Sequence, residues 1–260
     1  GVELTLNSLV KGLLNQNHLI NVVAPINSKL SDSCVFANLF TVDGHEQKSW
    51  QHQDYFTKTK ISNSSIVNAM FEKAVSLMED CDAIINLSYD LLPISKTLEF
   101  DYPILHIISM GDESNEISRI ISKVYSKYPY NFAFHSRAQA SDFPFIEEPI
   151  ILGNGFELSK YTFQEKNDGP LAWVGRVAPE KGLEDAVYVA NKMGEKLNVW
   201  GFIEDKEYAS KIESKYPSGQ ICWKGFLETN ELQNGLGKCR ALINTPKWNE
   251  AYGNVVVEAM

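Results

Sequence analysis

Two stretches of this sequence carry side chains suited to gripping a charged, hydroxyl-rich ligand. The first is Gly175-Arg176-Val177-Ala178-Pro179-Glu180-Lys181-Gly182, which follows an apolar run and opens a helical one. In an open α/β sheet ligands gather beyond the carboxyl ends of the strands, so Arg176 and Lys181 would stand at the mouth of a cleft. Arg grips a phosphate in a bidentate fork and Lys adds a mobile point charge, so together they could neutralise a diphosphate. The second stretch is Trp248-Asn249-Glu250-Ala251-Tyr252-Gly253-Asn254-Val255-Val256-Val257-Glu258. Gly253 and Asn254 are placed to begin a helix, whose first amides point at any bound anion. Glu250 precedes that helix and Glu258 lies inside it, and each carboxylate can accept hydrogen bonds from sugar or ribose hydroxyls.

Each stretch also has a plainer reading. Arg176 and Lys181 would then be solvated loop cations, Glu250 a charge complementing a helix dipole, and Glu258 an exposed helical acid. The coincidence of both stretches on strand-to-helix connections of one domain weakens those readings.

The elements needed to position these residues follow from periodicity. The chain opens in an amphipathic pattern with Val2, Leu6, Leu9, Val10, Leu13 and Leu14 on one helical face. Residues 19–24 read as a strand stopped by Pro25. Further strands are expected at 83–87, 103–109, 131–135 and 149–152, with helices at 62–79 and 115–125. Residues 31–60 are polar and without a sustained period, an irregular excursion or a hairpin. A second alternating series places strands at 171–175, 197–201, 220–224 and 241–245, with a helix through Leu183, Ala186, Val187 and Ala190. Strands alternating with helices predict mainly parallel sheets covered on both faces. The expectation is an α/β protein of two domains, residues 1–157 and 158–260, with a hinge near 155–169. The opening helix without a preceding strand, and the closing helix barely a turn long, suggest truncation at both ends.

Composition narrows the function classes. At 260 residues and 44% hydrophobic content the chain can bury a substantial core. A net charge of −9 argues against nonspecific binding to nucleic acid or anionic lipid. No apolar run approaches the roughly 20 residues of a membrane span, and no signal-peptide pattern opens the chain, so a cytoplasmic location is expected. Cys34, Cys81, Cys222 and Cys239 form no C-x-x-C pair or Cys/His cluster and read as reduced, mostly buried thiols.

The motifs resemble glycosyltransferase family 4, the retaining enzymes of the GT-B fold, in which two Rossmann-like domains face each other across a cleft. The family pattern G-R-x-x-x-x-K-G is matched by Gly175 to Gly182, and its E-x7-E signature by Glu250 to Glu258. Gly1-Val2-Glu3 resembles the end of the glycine-rich loop opening the first helix. Gly153-Asn154-Gly155-Phe156-Glu157-Leu158 resembles the junction between domains, and Gly225-Phe226-Leu227 the segment that cradles the nucleobase. The resemblance implies that Arg176 and Lys181 hold a donor diphosphate, that Glu250 contacts the transferred sugar and that Glu258 takes the ribose. The amides around Gly253, Asn254 and Val255 would meet the distal phosphate, and Phe226 and Leu227 would flank the base through backbone contacts. Gly1 and Gly175 would line the donor site. Implied with these roles are a UDP-sugar donor, a small-molecule acceptor in the N-terminal domain, and neither metal nor cofactor. A narrower resemblance is to the cyanobacterial group that transfers glucose from UDP-glucose to tetrahydrobiopterin. It is carried by Gly1-Val2-Glu3-Leu4-Thr5-Leu6, by residues 173–181 and by residues 248–254.

Many family members carry a His just after the strand that here spans 103–109. This chain has Ser109-Met110-Gly111-Asp112 instead, and His106 falls inside the strand, where alternation turns it into the core. Asp90, Asp112 and Arg137 fall on strand-end loops and could bind a polar acceptor, although solvated loop charges are the plainer reading. Two other functions share the sequence features: a UDP-sugar epimerase, for which no acid/base pair stands out, and a silent nucleotide-sugar-binding module.

Overall fold

The computed structural model describes residues 2–45, 50, 53–58, 62, 64–165, 167–216 and 219–260. The chain divides into two compact units, Gly1–Phe156 and Glu157–Met260. Gly1 itself lies outside the described residues.

The first unit begins with helix α1 (Val2–Asn15), which buries Val10 and packs Leu6 and Leu14 against Val22 and Cys34. Asn17, at a φ of +63°, ends it, a conformation that Asn tolerates better than most residues. Strand β1 (Asn21–Pro25) pairs in parallel with β2 (Asn38–Val42), in the register Val22 opposite Leu39 and Pro25 opposite Val42. The excursion expected at 31–60 therefore contains a strand, β2, which pairs in parallel with β1 from outside it. The strand forms because Leu39 closes over the Val10–Val22 cluster from an otherwise polar stretch.

Next come α2 (Ile66–Ser76), β3 (Ile84–Asn86), α3 (Leu91–Lys96), β4 (Ile104–Ile108), α4 (Asn115–Tyr125), β5 (Phe132–Phe134), α5 (Arg137–Ala140) and β6 (Ile150–Ile151). Four of these helices start on a capping side chain: Ser65, Asp90, Ser114 and Ser136 each accept an early backbone N–H. A parallel sheet in the order β3-β4-β5-β6 results. Ile108, Phe132 and Phe134 of the strands meet Ile117, Ile121 and Val124 of α4 in its largest core cluster.

His106 is fully buried on β4, as its place in the strand implies. The Asn86 amide donates to its Nδ1 at 3.0 Å, so the ring hydrogen sits on Nε2, which donates to the Thr97 hydroxyl at 2.7 Å. Burial holds its pKa down from 6.5 to about 4. Below pH 6.5 the unfolded chain takes up a proton that the folded chain refuses, so stability is lost as the pH falls from 6.5 to 4. The loss amounts to about 3 kcal/mol. Urea midpoints measured across that window should fall in the wild type and fall less in His106→Asn.

In the second unit β7 (Leu171–Val174), α6 (Leu183–Lys192), β8 (Leu197–Trp200), α7 (Lys206–Glu213), β9 (Ile221–Gly225), α8 (Thr229–Leu236), β10 (Ala241–Leu242) and α9 (Asn254–Ala259) alternate. The four strands form a parallel sheet in the order β10-β7-β8-β9. Strand alternation covers both faces: Leu171, Trp173, Leu197 and Val199 pack against α6 and α7, whereas Ala172 and Trp200 pack against Leu236 of α8. All four cysteines are free, but only Cys34 is buried. The other three sit at partly buried positions, Cys239 against the Ala172–Trp200–Leu236 cluster. Among the described residues no helix is long and apolar enough to cross a membrane.

Candidate functional site

The two sequence stretches singled out for chemistry meet at the carboxyl edge of the second unit's sheet. Beyond β7 the chain continues through Gly175 and Arg176, turns over Pro179–Lys181 and enters α6 through Gly182, at a φ of +63°. Beyond β10 the segment carrying Thr245, Lys247 and Glu250 runs alongside this turn. Three hydrogen bonds join the two: the Thr245 hydroxyl donates to the Gly182 carbonyl at 2.8 Å, the Lys247 amide to the Glu180 carbonyl at 2.8 Å, and the Trp173 indole to the Thr245 hydroxyl at 3.3 Å.

That pairing brings Lys181 to Glu250. Its Nζ stands 2.6 Å from Glu250 Oε1 and 4.6 Å from the centre of the Trp248 ring, over which it stacks as a cation. Both charged groups are partly shielded, with side chains 19% and 26% exposed. The Trp248 indole N–H is buried without an acceptor among the described residues.

Arg176 is held between two acids. Its Nη2 donates to Glu180 Oε1 at 2.9 Å, and its Nη1 to Glu204 on the loop after β8. Lys247 pairs with Glu184 at 2.7 Å and Asp185 at 3.2 Å in the first turn of α6. Each of these cations is ion-paired, Lys247 at an exposed position, and Glu250 serves as the counter-ion of Lys181.

Of the other expected site residues, Gly175 donates its amide to the Trp200 carbonyl at 3.0 Å and so ties the β7 and β8 strand ends together. Gly253 takes a φ of +81° and Asn254 begins α9, with Val255 in its first turn. Glu258, further along that short helix, is partly buried, and burial raises its carboxyl above the ordinary 4.5. It faces Tyr161, whose hydroxyl is raised first by burial and then by the Glu258 charge. Phe226 follows Gly225, at a φ of +69°, and is displayed to solvent, whereas its neighbour Leu227 packs against the Ala172–Trp200–Leu236 cluster.

In the first unit, Asp90 is a buried cap whose Oδ1 accepts the Leu92 amide at 3.0 Å and whose Oδ2 accepts the Trp50 indole at 3.3 Å. Asp112 accepts the Tyr55 hydroxyl at 2.9 Å and the Ser118 hydroxyl at 2.6 Å. Neither is the solvated charge that its loop position suggested, because each satisfies donors that folding brings to it. Arg137 is exposed at the start of α5.

The fold has counterparts among solved structures. AviGT4, a glycosyltransferase of avilamycin A biosynthesis, superposes with a TM-score of 0.64 at 17% identity over 97% of this chain and 66% of its own. Sucrose-phosphate synthase from Thermosynechococcus elongatus does so at 0.69, with 12% identity over 96% of this chain and 71% of its own. WaaG, a glycosyltransferase of lipopolysaccharide biosynthesis, gives 0.65 at 12% identity over 100% of this chain and 75% of its own. The fold is GT-B. This chain thus spans less than two thirds of AviGT4. No protein-family model and no curated protein sequence matches it.

Sequence reasoning missed Glu180, Glu204 and Lys247 as charge partners. Glu180 and Lys247 lay within or beside the two motifs. Glu204 lies in Gly201-Phe202-Ile203-Glu204-Asp205, another strand-to-helix connection at the same edge, and that position was its only signal.

Proposed function

We propose that this chain transfers a hexose, glucose in the preferred reading, from a UDP-sugar to a small acceptor with retention of anomeric configuration. The observation that carries the reading is the 2.6 Å contact between Lys181 and Glu250, two residues 69 positions apart that join a diphosphate-type cation to a hydroxyl-accepting carboxylate. In this role Arg176 and Lys181 balance charge on the diphosphate as the bond from the anomeric carbon to the phosphate oxygen breaks. The acceptor oxygen forms its bond to the same carbon on the face the phosphate leaves, and its proton passes to the departing phosphate oxygen. Glu250 fixes the sugar through its hydroxyls, Glu258 accepts from the ribose, and Phe226 lies against the base. The amides around Gly253, Asn254 and Val255 face the distal phosphate. The acceptor is assigned to the N-terminal unit, and a reduced pterin is the candidate drawn from the resemblance of residues 1–6, 173–181 and 248–254.

Glu250→Ala tests the assignment. Transfer should fall by on the order of 10²–10³, the range for losing one group that positions or stabilises the reacting centre, while UDP affinity is largely kept. Glu250→Gln keeps the size of the side chain and should recover part of the loss. Turnover unchanged in Glu250→Ala would remove Glu250 from the site.

A further inference from the structure

The Arg176 guanidinium offers its two terminal nitrogens to Glu180 and Glu204, and these are the groups with which an Arg grips a phosphate in a fork. The backbone of Glu204 cannot retreat. Val177 donates to the Phe202 carbonyl at 2.9 Å, Asp205 donates to the Val177 carbonyl at 3.1 Å, and a parallel bridge joins Val177 to Ile203. The side chain, one-third exposed, can rotate, but its charge stays beside Arg176. Any phosphate that takes Arg176 therefore meets a negative side chain carried on a tied backbone.

We propose that Glu204 is a specificity-determining residue of the donor site, a carboxylate that shares Arg176 and disfavours the free nucleoside diphosphate more than the nucleotide-sugar. The inference rests on the donor-site reading above. The diphosphate of a nucleotide-sugar is esterified at both ends and carries two negative charges. After transfer the terminal phosphate is free and the nucleoside diphosphate carries up to three. Repulsion from Glu204 grows with ligand charge, so it weighs more on the product than on the donor and favours product release.

Calorimetric titration of UDP and of UDP-glucose into the full chain, as wild type, Glu204→Gln and Arg176→Ala, tests this. Glu204→Gln removes the charge and keeps the size, and a thermal melt confirms that it folds. UDP should tighten about fivefold and UDP-glucose by less, so that the ratio of the two affinities moves toward UDP. Glu204→Ala should move the ratio the same way. Equal tightening of both ligands, or weakening of either, overturns the specificity role. Binding unchanged by Glu204→Gln but abolished by Arg176→Ala removes Glu204 and leaves the donor site standing. UDP binding that is alike in wild type and Arg176→Ala, or absent from both, removes the two together.

Discussion

Replacing Lys181 with Ala is expected to lower kcat for sugar transfer by on the order of 10²–10³, the loss that follows removal of one preorganised donor aimed at developing charge. The size rests on the setting of Lys181. Its ammonium stacks over Trp248 and pairs with Glu250, so it is already oriented before a ligand arrives. A side chain only 19% exposed also acts through less water than a surface lysine does. Removing it withdraws positive charge from the leaving phosphate and leaves Glu250 partly buried without its counter-ion. Lys181→Arg should restore part of the rate, because it keeps the charge but replaces a compact head with a planar fork that fits the Trp248–Glu250 corner less well. Initial rates measured at saturating donor check this. A kcat within about twofold of wild type in Lys181→Ala would mean that Lys181 is a structural ion pair and no more.

Gly182→Ala and Gly201→Ala should each destabilise the second unit by about 3–5 kcal/mol, because two costs add at each position. The left-handed backbone at Gly182 charges any L-residue about 1–2 kcal/mol, and a Cβ there would lie 2.0 Å from the Thr245 carbonyl oxygen. That oxygen belongs to backbone in the segment that aligns Glu250 with Lys181, so the two stretches would have to separate. At Gly201 the φ is +140° and a Cβ would lie 1.8 Å from the Gly175 carbonyl, where the loops after β7 and β8 are stitched together. Gly194 is the control: it shares a positive φ of +68° but has nothing within 4 Å of an added Cβ. Gly194→Ala should therefore cost only the backbone share, about 1 kcal/mol. Urea denaturation of the three variants separates the contributions. Equal losses at Gly182, Gly194 and Gly201 would show that close packing of the two loops contributes nothing.

The sequence made the alternation of the second unit legible because its central strands β7 and β8 are buried and read as apolar runs, such as Leu171 to Val174. The N-terminal helices were legible through their amphipathic period, and His106 through its place inside a strand. β2 was not, because Leu39 becomes a core residue only when α1 and β1 are already beside it. Both motifs could be quoted from the sequence, yet the pairing of Lys181 with Glu250 depends on β10 lying next to β7, a neighbour relation that spacing does not encode. Glu204 was hidden for the same reason: its effect on Arg176 comes from a parallel bridge between two loops. Asp90 and Asp112 looked solvated because the donors that occupy them, Trp50 and Tyr55, lie in a stretch with no period to place it.

Mass spectrometry of the reaction of the chain with UDP-glucose and a panel of small acceptors that includes tetrahydrobiopterin tests the central reading most directly. An acceptor heavier by one hexose, formed with release of UDP and lost in Lys181→Ala, is the expected result. Absence of any hexosylated acceptor, together with no measurable binding of UDP-glucose to the wild type, would contradict it.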